Sequence, residues 1–471
     1  MDRRFAAVGL LLAATGTVGF GLRPAPTPGD PEESVPLAVA GWSARRVPVG
    51  LADMLGAVQL PTRLHDALGG SEYCFVLADG ARTAFEREPD AALIPASTQK
   101  LMVAVSALEA LGPDRRLETK VVGSGRPSAG TVDRLWLVGG GDPVLNVAEY
   151  RAFLEQDPLS RGHPSTSLEV LADRVVEAGV REVTSGVFGD ASRHAGAPTV
   201  PTWRPTYIRD RDVPYLSALT VNGGWASWEG GRVTAPDPAT NAAAELARLL
   251  EARGVVVGST GAATAPAGAT AIARIQSPTV GELVEGMVRE SDNLIAEILT
   301  REVGLAVEGS GTTEAGTAAV LATLRALDVA VEGVAMNDGS GLDRGNQSTC
   351  RTLGAVLALR TRDKFAAMDE GLAVAGRTGT LHRRLKGTDL EGRLRAKTGS
   401  LRDVAGLVGV LEGRSGGRPP LAFALVANGA FGATGGVPLQ ESIARILDAY
   451  PFPPADADAL APDAAPAEPG P

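Results

Sequence analysis

The chain has 471 residues, 44% hydrophobic and 21% charged, and its 45 basic and 55 acidic side chains leave a net charge of −10. That length exceeds what one ordinary core supports and predicts two or three domains, while the acidic balance offers no basic footprint for nucleic acid. Asp456, Asp458, Asp463 and Glu468 lie in a tail after Tyr450 that has no Lys or Arg, so the folded part is only mildly acidic.

At the N-terminus, Asp2-Arg3-Arg4 precedes an uncharged apolar run over 5–22, which reads as an export segment occupying 1–23. No convincing small-x-small cleavage site follows, and the run is near the lower limit for spanning a bilayer, so a cleaved signal peptide and a retained membrane anchor both stand. Residues 24–43 form a Pro-rich linker. "EYCFVLADG" then reads as a strand, with "ARTAFERE" returning as its hairpin partner across Asp79-Gly80. In "PASTQKLMVAVSALEALGP", Ser97 is placed to cap a helix, Leu101, Val105 and Leu108 recur at helical spacing, and Gly112-Pro113 stop the run.

Over 113–275 the texture changes to short strands, glycine turns and two helices at 167–178 and 241–253, which reads as an insertion of one or two modules. It divides another domain into 44–112 and 276–450. Helical texture resumes in "TVGELVEGMVRESDNLIAEILTREVG", where Ser291-Asp292-Asn293 interrupts two amphipathic runs. "RLRAKTGSL", "VAGLVGVLEG" and "PLAFALVANG" are three strands joined by tight turns, hence an antiparallel sheet. A last helix at 437–448 precedes a tail, 451–471, too polar and Pro-rich for a core.

Cys74 and Cys350 belong to no CxxC pair; in an oxidising compartment they are either one disulfide or two separate buried thiols. His65, His163, His194 and His382 show no metal-binding spacing, so neither a metal nor another cofactor is expected.

The chemistry concentrates in three sparse signals. Ser97 and Lys100 are three residues apart, so a helix sets hydroxyl and amine side by side, at an N-terminus that favours developing negative charge. A lysine serves as base only when burial or a second cation lowers its pKa, so Lys100 calls for another positive charge nearby. Alone, Ser-x-x-Lys is weak. Ser291-x-Asn293 and Lys397-Thr398-Gly399 add two further motifs, each occurring once, and the three in this order are the combination of β-lactamases and penicillin-binding proteins.

With these motifs in place, the chain resembles the serine D-alanyl-D-alanine carboxypeptidases and endopeptidases among the class C low-molecular-mass penicillin-binding proteins. "LVGGGDPVL", "YLSALTVNGGW", "RESDNLIAEIL", "NDGSGLDRGNQST" and "GRLRAKTGSL" carry the likeness over roughly residues 70–450. The resemblance implies an α+β (α/β) transpeptidase-like domain, an antiparallel sheet flanked by helices, with a large insertion between Lys100 and Ser291. It implies that Ser97 attacks the penultimate D-alanine carbonyl, Lys100 takes its proton, and Ser291 relays a proton to the leaving amine. Asn293 would hold substrate or Lys100. Lys397 would be the second cation and, with Thr398, would bind the substrate carboxylate. Gly399 would let the strand approach the substrate, and the backbone N–H groups of Ser97 and Ser400 would form the oxyanion hole. Peptidoglycan stem peptides would be the substrate, β-lactams covalent inhibitors, and the cell envelope the location.

Two other patterns compete. Gly413-Arg414-Ser415-Gly416-Gly417 fits a nucleophile elbow, but it joins two strands and follows the last histidine, His382, so it reads as a hairpin turn. "GRTGTL" at 376–381 echoes "AKTGSL" at 396–401, but Arg377 is a poor twin for a compact ammonium, and the echo reads as a flanking structural loop outside the site. A β-lactamase would share the three motifs but needs a placed base for deacylation, for which no motif stands out. A non-catalytic wall-binding protein is disfavoured by intact Ser97, Lys100, Ser291 and Lys397.

Overall fold

A computed structural model describes residues 57–80, 82–413, 419–431 and 435–452. The expectations for the apolar N-terminus, the linker and the acidic tail lie outside these residues, as does most of the Gly413–Gly417 turn. Among the described residues no helix is long and apolar enough to cross a membrane.

The strands expected on either side of the insertion meet in one sheet. β1 (Glu72–Asp79) and β2 (Arg82–Arg87) form the expected hairpin; β3 (Ala373–Val374), β4 (Leu394–Leu401), β5 (Val404–Leu411) and β6 (Leu421–Asn428) complete the order β3-β4-β5-β6-β1-β2. Every pairing is antiparallel. Alternate side chains serve opposite faces, as a two-residue period dictates. Cys74, Val408, Val410, Ala424 and Val426 join one core, while Phe75, Leu77, Leu407, Phe423 and Leu425 join another. Central β5 is buried along its whole length because both faces are covered.

The helix Cys350–Ala358 packs directly on one face, and the same core holds the three helices at the motifs: α1 (Lys100–Ala110), α2 (Val280–Glu290) and α3 (Asn293–Val307). α1 is buried from Lys100 to Leu108, so its Leu101, Val105 and Leu108 stripe is only one side of an all-round apolar helix. The helices at Leu60–Leu68 and Val437–Asp448 pack on the other face. Cys74 on β1 and Cys350, which opens the helix Cys350–Ala358, form a disulfide, which resolves the alternative left by the sequence.

Five strands within residues 116–279 build a separate sheet, in the order 256–262, 182–190, 131–138, 116–123, 270–279. Its first two pairings are parallel and its last two antiparallel. The two expected helices occur at Leu168–Glu177 and Pro238–Glu251, capped by the side chains of Ser167 and Asp237, and close a hydrophobic cluster of their own. This region docks on the motif-bearing helices through buried polar contacts. Glu302 of α3 accepts from Arg193 Nε and Nη2 at 2.8 and 2.6 Å and faces His194 Nε2 at 2.7 Å. Trp203 Nε1 donates to Asp338 Oδ2 at 2.8 Å, and His163 Nδ1 meets Glu290 Oε2 at 2.7 Å.

Candidate active site

Ser97 lies in a 3₁₀ turn, Ala96–Gln99, that feeds directly into α1. Ala96 enters it with φ 48°, pressed against Gly341, where a Cβ would fall 2.1 Å from the Ala96 carbonyl oxygen. The expected capping role of Ser97 is not what the fold uses. No side chain caps the start of the turn or of α1, and the helical continuation presents Ser97 Oγ to Lys100 Nζ instead, at 2.9 Å. Ala96, Thr98, Gln99 and Lys100 are buried while Ser97 is only partly so, which leaves its hydroxyl the accessible side chain of the turn.

Lys100 has three protons to donate, and three acceptors surround it: Ser97 Oγ, Asn293 Oδ1 at 2.7 Å and the Ser340 carbonyl at 2.5 Å. Burial pulls its pKa down to about 8, against the opposing charges of Asp338, Glu297 and Asp292. The expectation that a second cation lowers Lys100 therefore needs correction, because desolvation does so. The repulsion between the two lysines instead falls on Lys397, also fully buried, whose pKa is driven well down by burial first and by Lys100 second. Lys397 Nζ donates to Ser291 Oγ at 2.8 Å and to the Thr398 carbonyl at 2.9 Å.

The break between α2 and α3 makes this convergence possible. Ser291 ends α2 in the left-handed region, φ 63°, and Asp292 caps α3 by accepting from Ile295 N at 2.8 Å. Asn293, the first residue of α3, divides its amide: Oδ1 takes Lys100, and Nδ2 donates to the Asp212 carbonyl at 2.8 Å. The ordinary cap-and-turn chemistry of Ser-Asp-Asn thus also aims Ser291 and Asn293 at the two lysines.

Gly399 makes room for a neighbour within the chain. A Cβ there would lie 2.8 Å from the Pro95 carbonyl oxygen and 3.1 Å from Thr98 N, and one on Gly406, its register partner on β5, would lie 2.7 Å from Thr98 Cγ2. This glycine pair is the flat floor that lets the Ser97 turn sit on the sheet. Ser400 is exposed, and its Oγ accepts from Gln440 Nε2 at 3.2 Å. Since β3 pairs only with Arg395 and Ala396, Lys397 to Leu401 have no strand on that edge among the described residues, which leaves it open to an extended peptide.

Sequence reasoning missed the acids behind Lys100. Glu297, one turn after Asn293 on α3 and fully buried, accepts from Gly339 N at 3.1 Å and Ser340 N at 2.7 Å through Oε1. That grip presents the Ser340 carbonyl to Lys100. Burial, with Asp338 beside it, pushes the Glu297 pKa up to about 7. Asp338, also buried, shapes the loop by accepting from Gly341 N, Asn346 Nδ2 and Asp343 N, each at 2.8 Å. The i, i+4 spacing from Asn293 to Glu297 was the available signal. The echo loop is likewise closer than expected: it forms a 3₁₀ turn, Gly379–Leu381, whose Thr380 Oγ1 accepts from Thr398 Oγ1 at 2.9 Å.

The model of the D-Ala-D-Ala carboxypeptidase 3 (S13) family matches residues 59–234 and 229–450. The chain belongs to this family. Similar proteins include a carboxypeptidase of Mycobacterium tuberculosis, 33% identical over 424 residues and 86% of each chain. The D-alanyl-D-alanine carboxypeptidase of Actinomadura sp. strain R39 is 29% identical over 472 residues and 82% of each. The crystal structure of penicillin-binding protein 4 from Haemophilus influenzae superposes with a TM-score of 0.68 at 21% identity, covering 82% of this chain and 99% of that one. Membership in S13 makes the chain a serine-type DD-peptidase, a hydrolase of α+β fold.

Proposed function

We propose that Ser97 is the nucleophile of an exported DD-peptidase that hydrolyses D-Ala-D-Ala ends, or D-Ala cross-links, of peptidoglycan stem peptides through an acyl-enzyme. The observation that carries this reading is the 2.9 Å contact from buried Lys100 Nζ to Ser97 Oγ. With a pKa of about 8, about one-tenth of Lys100 is neutral at pH 7, enough to act as a base. Ser97 Oγ attacks the carbonyl of the penultimate D-alanine while Lys100 accepts its proton. Ser291 passes a proton to the departing amine, and Asn293 keeps Lys100 in place. Lys397 and Thr398 receive the substrate carboxylate, whose charge restores the protonated form of Lys397. The backbone N–H groups of Ser97 and Ser400 hold the oxyanion, and water then releases the acyl group. β-Lactams would acylate Ser97 by the same attack; a β-lactam complex is known for the Haemophilus influenzae protein of the same fold.

The catalytic domain is read as 44–112 and 276–450, with 113–275 inserted. The apolar segment at 5–22 and the disulfide, a bond that persists in oxidising compartments, support export to the cell envelope. Mass spectrometry of muropeptides after incubation with the wild type and Ser97→Ala tests the reading. The wild type is expected to release D-Ala or cleave cross-links and the variant to do neither. An inert wild type refutes the peptidase assignment, and an active variant refutes the nucleophile.

A further inference from the structure

The helix that ends in Ser291 is held in place by distant parts of the chain. Ser291 closes α2 at φ 63°, a left-handed conformation that a residue with a Cβ adopts against a steric cost. The contacts around the last turn of α2 therefore decide whether the Ser291 hydroxyl keeps its place beside Lys397. Residues 162–164 of the inserted region lie along that turn. Pro164 packs on Gly286 so closely that a Cβ there would come 2.9 Å from Pro164 Cδ. Arg289 Nη2 donates to the Gly162 carbonyl at 3.4 Å, and His163 Nδ1 meets Glu290 Oε2 at 2.7 Å. Gly286, Arg289 and Glu290 recur at the spacing of one helix face, so the loop grips one side of α2. Gly379 abuts the Arg289 carbonyl oxygen, leaving no room for a Cβ. The last turn before Ser291 is thus clamped between the inserted region and the loop at Gly379.

Within this clamp the histidine–glutamate pair is the strongest contact, because both side chains are largely buried, 11% and 6% exposed, and the acceptor is a carboxylate. Burial opposes a charged imidazole, but the hydrogen bond and negative charge of Glu290 outweigh it and raise the His163 pKa. Glu290 directly precedes Ser291 in the chain. We propose that His163 is a positioning residue for the reaction: through Glu290 it holds Ser291 where the hydroxyl can pass a proton to the leaving amine. The inference rests on the DD-peptidase reading, in which Ser291 is that relay, and deepens it. Its consequence is selective. In acylation Ser97 Oγ bonds to the acyl carbon, its proton goes to Lys100, and the C–N bond breaks as the nitrogen gains a proton through Ser291. A thioester with the same acyl group needs less help, since its C–S bond breaks to leave a thiolate that is stable near neutral pH without a proton.

The test uses the full chain and two substrates with one acyl group: a peptide ending in D-Ala-D-Ala, and its thioester analogue with sulfur in place of the scissile nitrogen. Ser291→Ala sets the scale, with kcat/KM expected to fall by about a hundredfold on the amide and by less than about threefold on the thioester. His163→Leu is expected to lower the amide value by about tenfold, the scale of a slightly misplaced proton donor, and the thioester value by less than about twofold. Thioester turnover also reports that the site is folded. His163→Asn keeps an N–H donor at the position of Nδ1 and is expected to stay within about threefold of the wild type on the amide. In the double variant Ser291→Ala/His163→Leu the second change costs nothing further on the amide, because the relay it positions is gone. Equal losses on the two substrates, an unchanged amide rate in His163→Leu, an asparagine variant as slow as the leucine one, or losses that multiply in the double variant each overturn the assignment. A wild type inert on both substrates refutes the DD-peptidase reading itself, whereas a Ser291→Ala variant equally slow on both refutes the relay; either removes the ground of the proposal.

Discussion

Replacing Glu297 by glutamine tests whether the buried acid behind Lys100 sets the protonation of that lysine. Glutamine keeps a side-chain oxygen for Gly339 N and Ser340 N, so the Ser340 carbonyl stays 2.5 Å from Lys100 Nζ, and only the charge is lost. In the wild type Glu297 ionises at about pH 7 and its anion stabilises protonated Lys100, whose pKa is about 8. Removing that anion lowers the Lys100 pKa further. One charge acting through one intervening residue is worth about 1.4 kcal/mol, or about one pH unit. The neutral fraction of Lys100 at pH 7 then rises from about one-tenth to about one-half, and acylation speeds up about fivefold. Above about pH 9 both proteins hold mostly neutral lysine and their rates converge. The assay is the second-order acylation rate with a fluorescent penicillin from pH 5.5 to 9.5, a range of about four pH units around the expected limb. Glu297→Ala is the contrasting variant: it strips the acceptor from two buried N–H groups, at about 1–3 kcal/mol, and slows acylation at every pH. A glutamine variant whose limb stays in place, or moves to higher pH, refutes the electrostatic argument.

Gly399→Ala puts a methyl group 2.8 Å from the Pro95 carbonyl oxygen, so the Ser97 turn must lift from the sheet; about 1–3 kcal/mol of stability is lost and acylation slows, as chemical denaturation and penicillin labelling would register. Reduction of Cys74–Cys350, or the Cys74→Ser/Cys350→Ser pair, removes a link between β1 and a helix start far away in sequence and costs about 2–5 kcal/mol; equal Tm with and without reductant would contradict it. Glu302→Ala leaves Arg193 without its carboxylate and empties a buried contact to His194, so Tm falls by the equivalent of about 3 kcal/mol, while the acylation rate of the folded fraction holds.

Much of the fold was legible because its elements carry strong local signals. The strands Leu394–Leu401, Val404–Leu411 and Leu421–Asn428 and the helix Val437–Asp448 stand where alternation, tight turns and apolar spacing put them. Ser291-Asp292-Asn293 was recognisable as a break because a helix stop beside a helix cap is local chemistry. The acids behind Lys100 were less visible, since Glu297 lies within an unremarkable amphipathic helix and becomes important only when the Asp338–Gly341 loop folds over it.

The sequence by itself determined the motifs, their order and the approximate places of the helices and strands, because propensity, capping and hydrophobic period act over a few residues. It also pointed to the family, through short segments that hold the motif residues. Tertiary structure decided the electrostatics. Whether burial or a second cation lowers Lys100 depends on which groups from distant parts of the chain enclose its ammonium, and here Asn293 and Ser340 close over it and exclude water. The same holds for Gly399, whose missing side chain makes room for the Pro95–Thr98 turn. No residue spacing encodes that contact, because it exists only once β4 and the start of α1 have packed together.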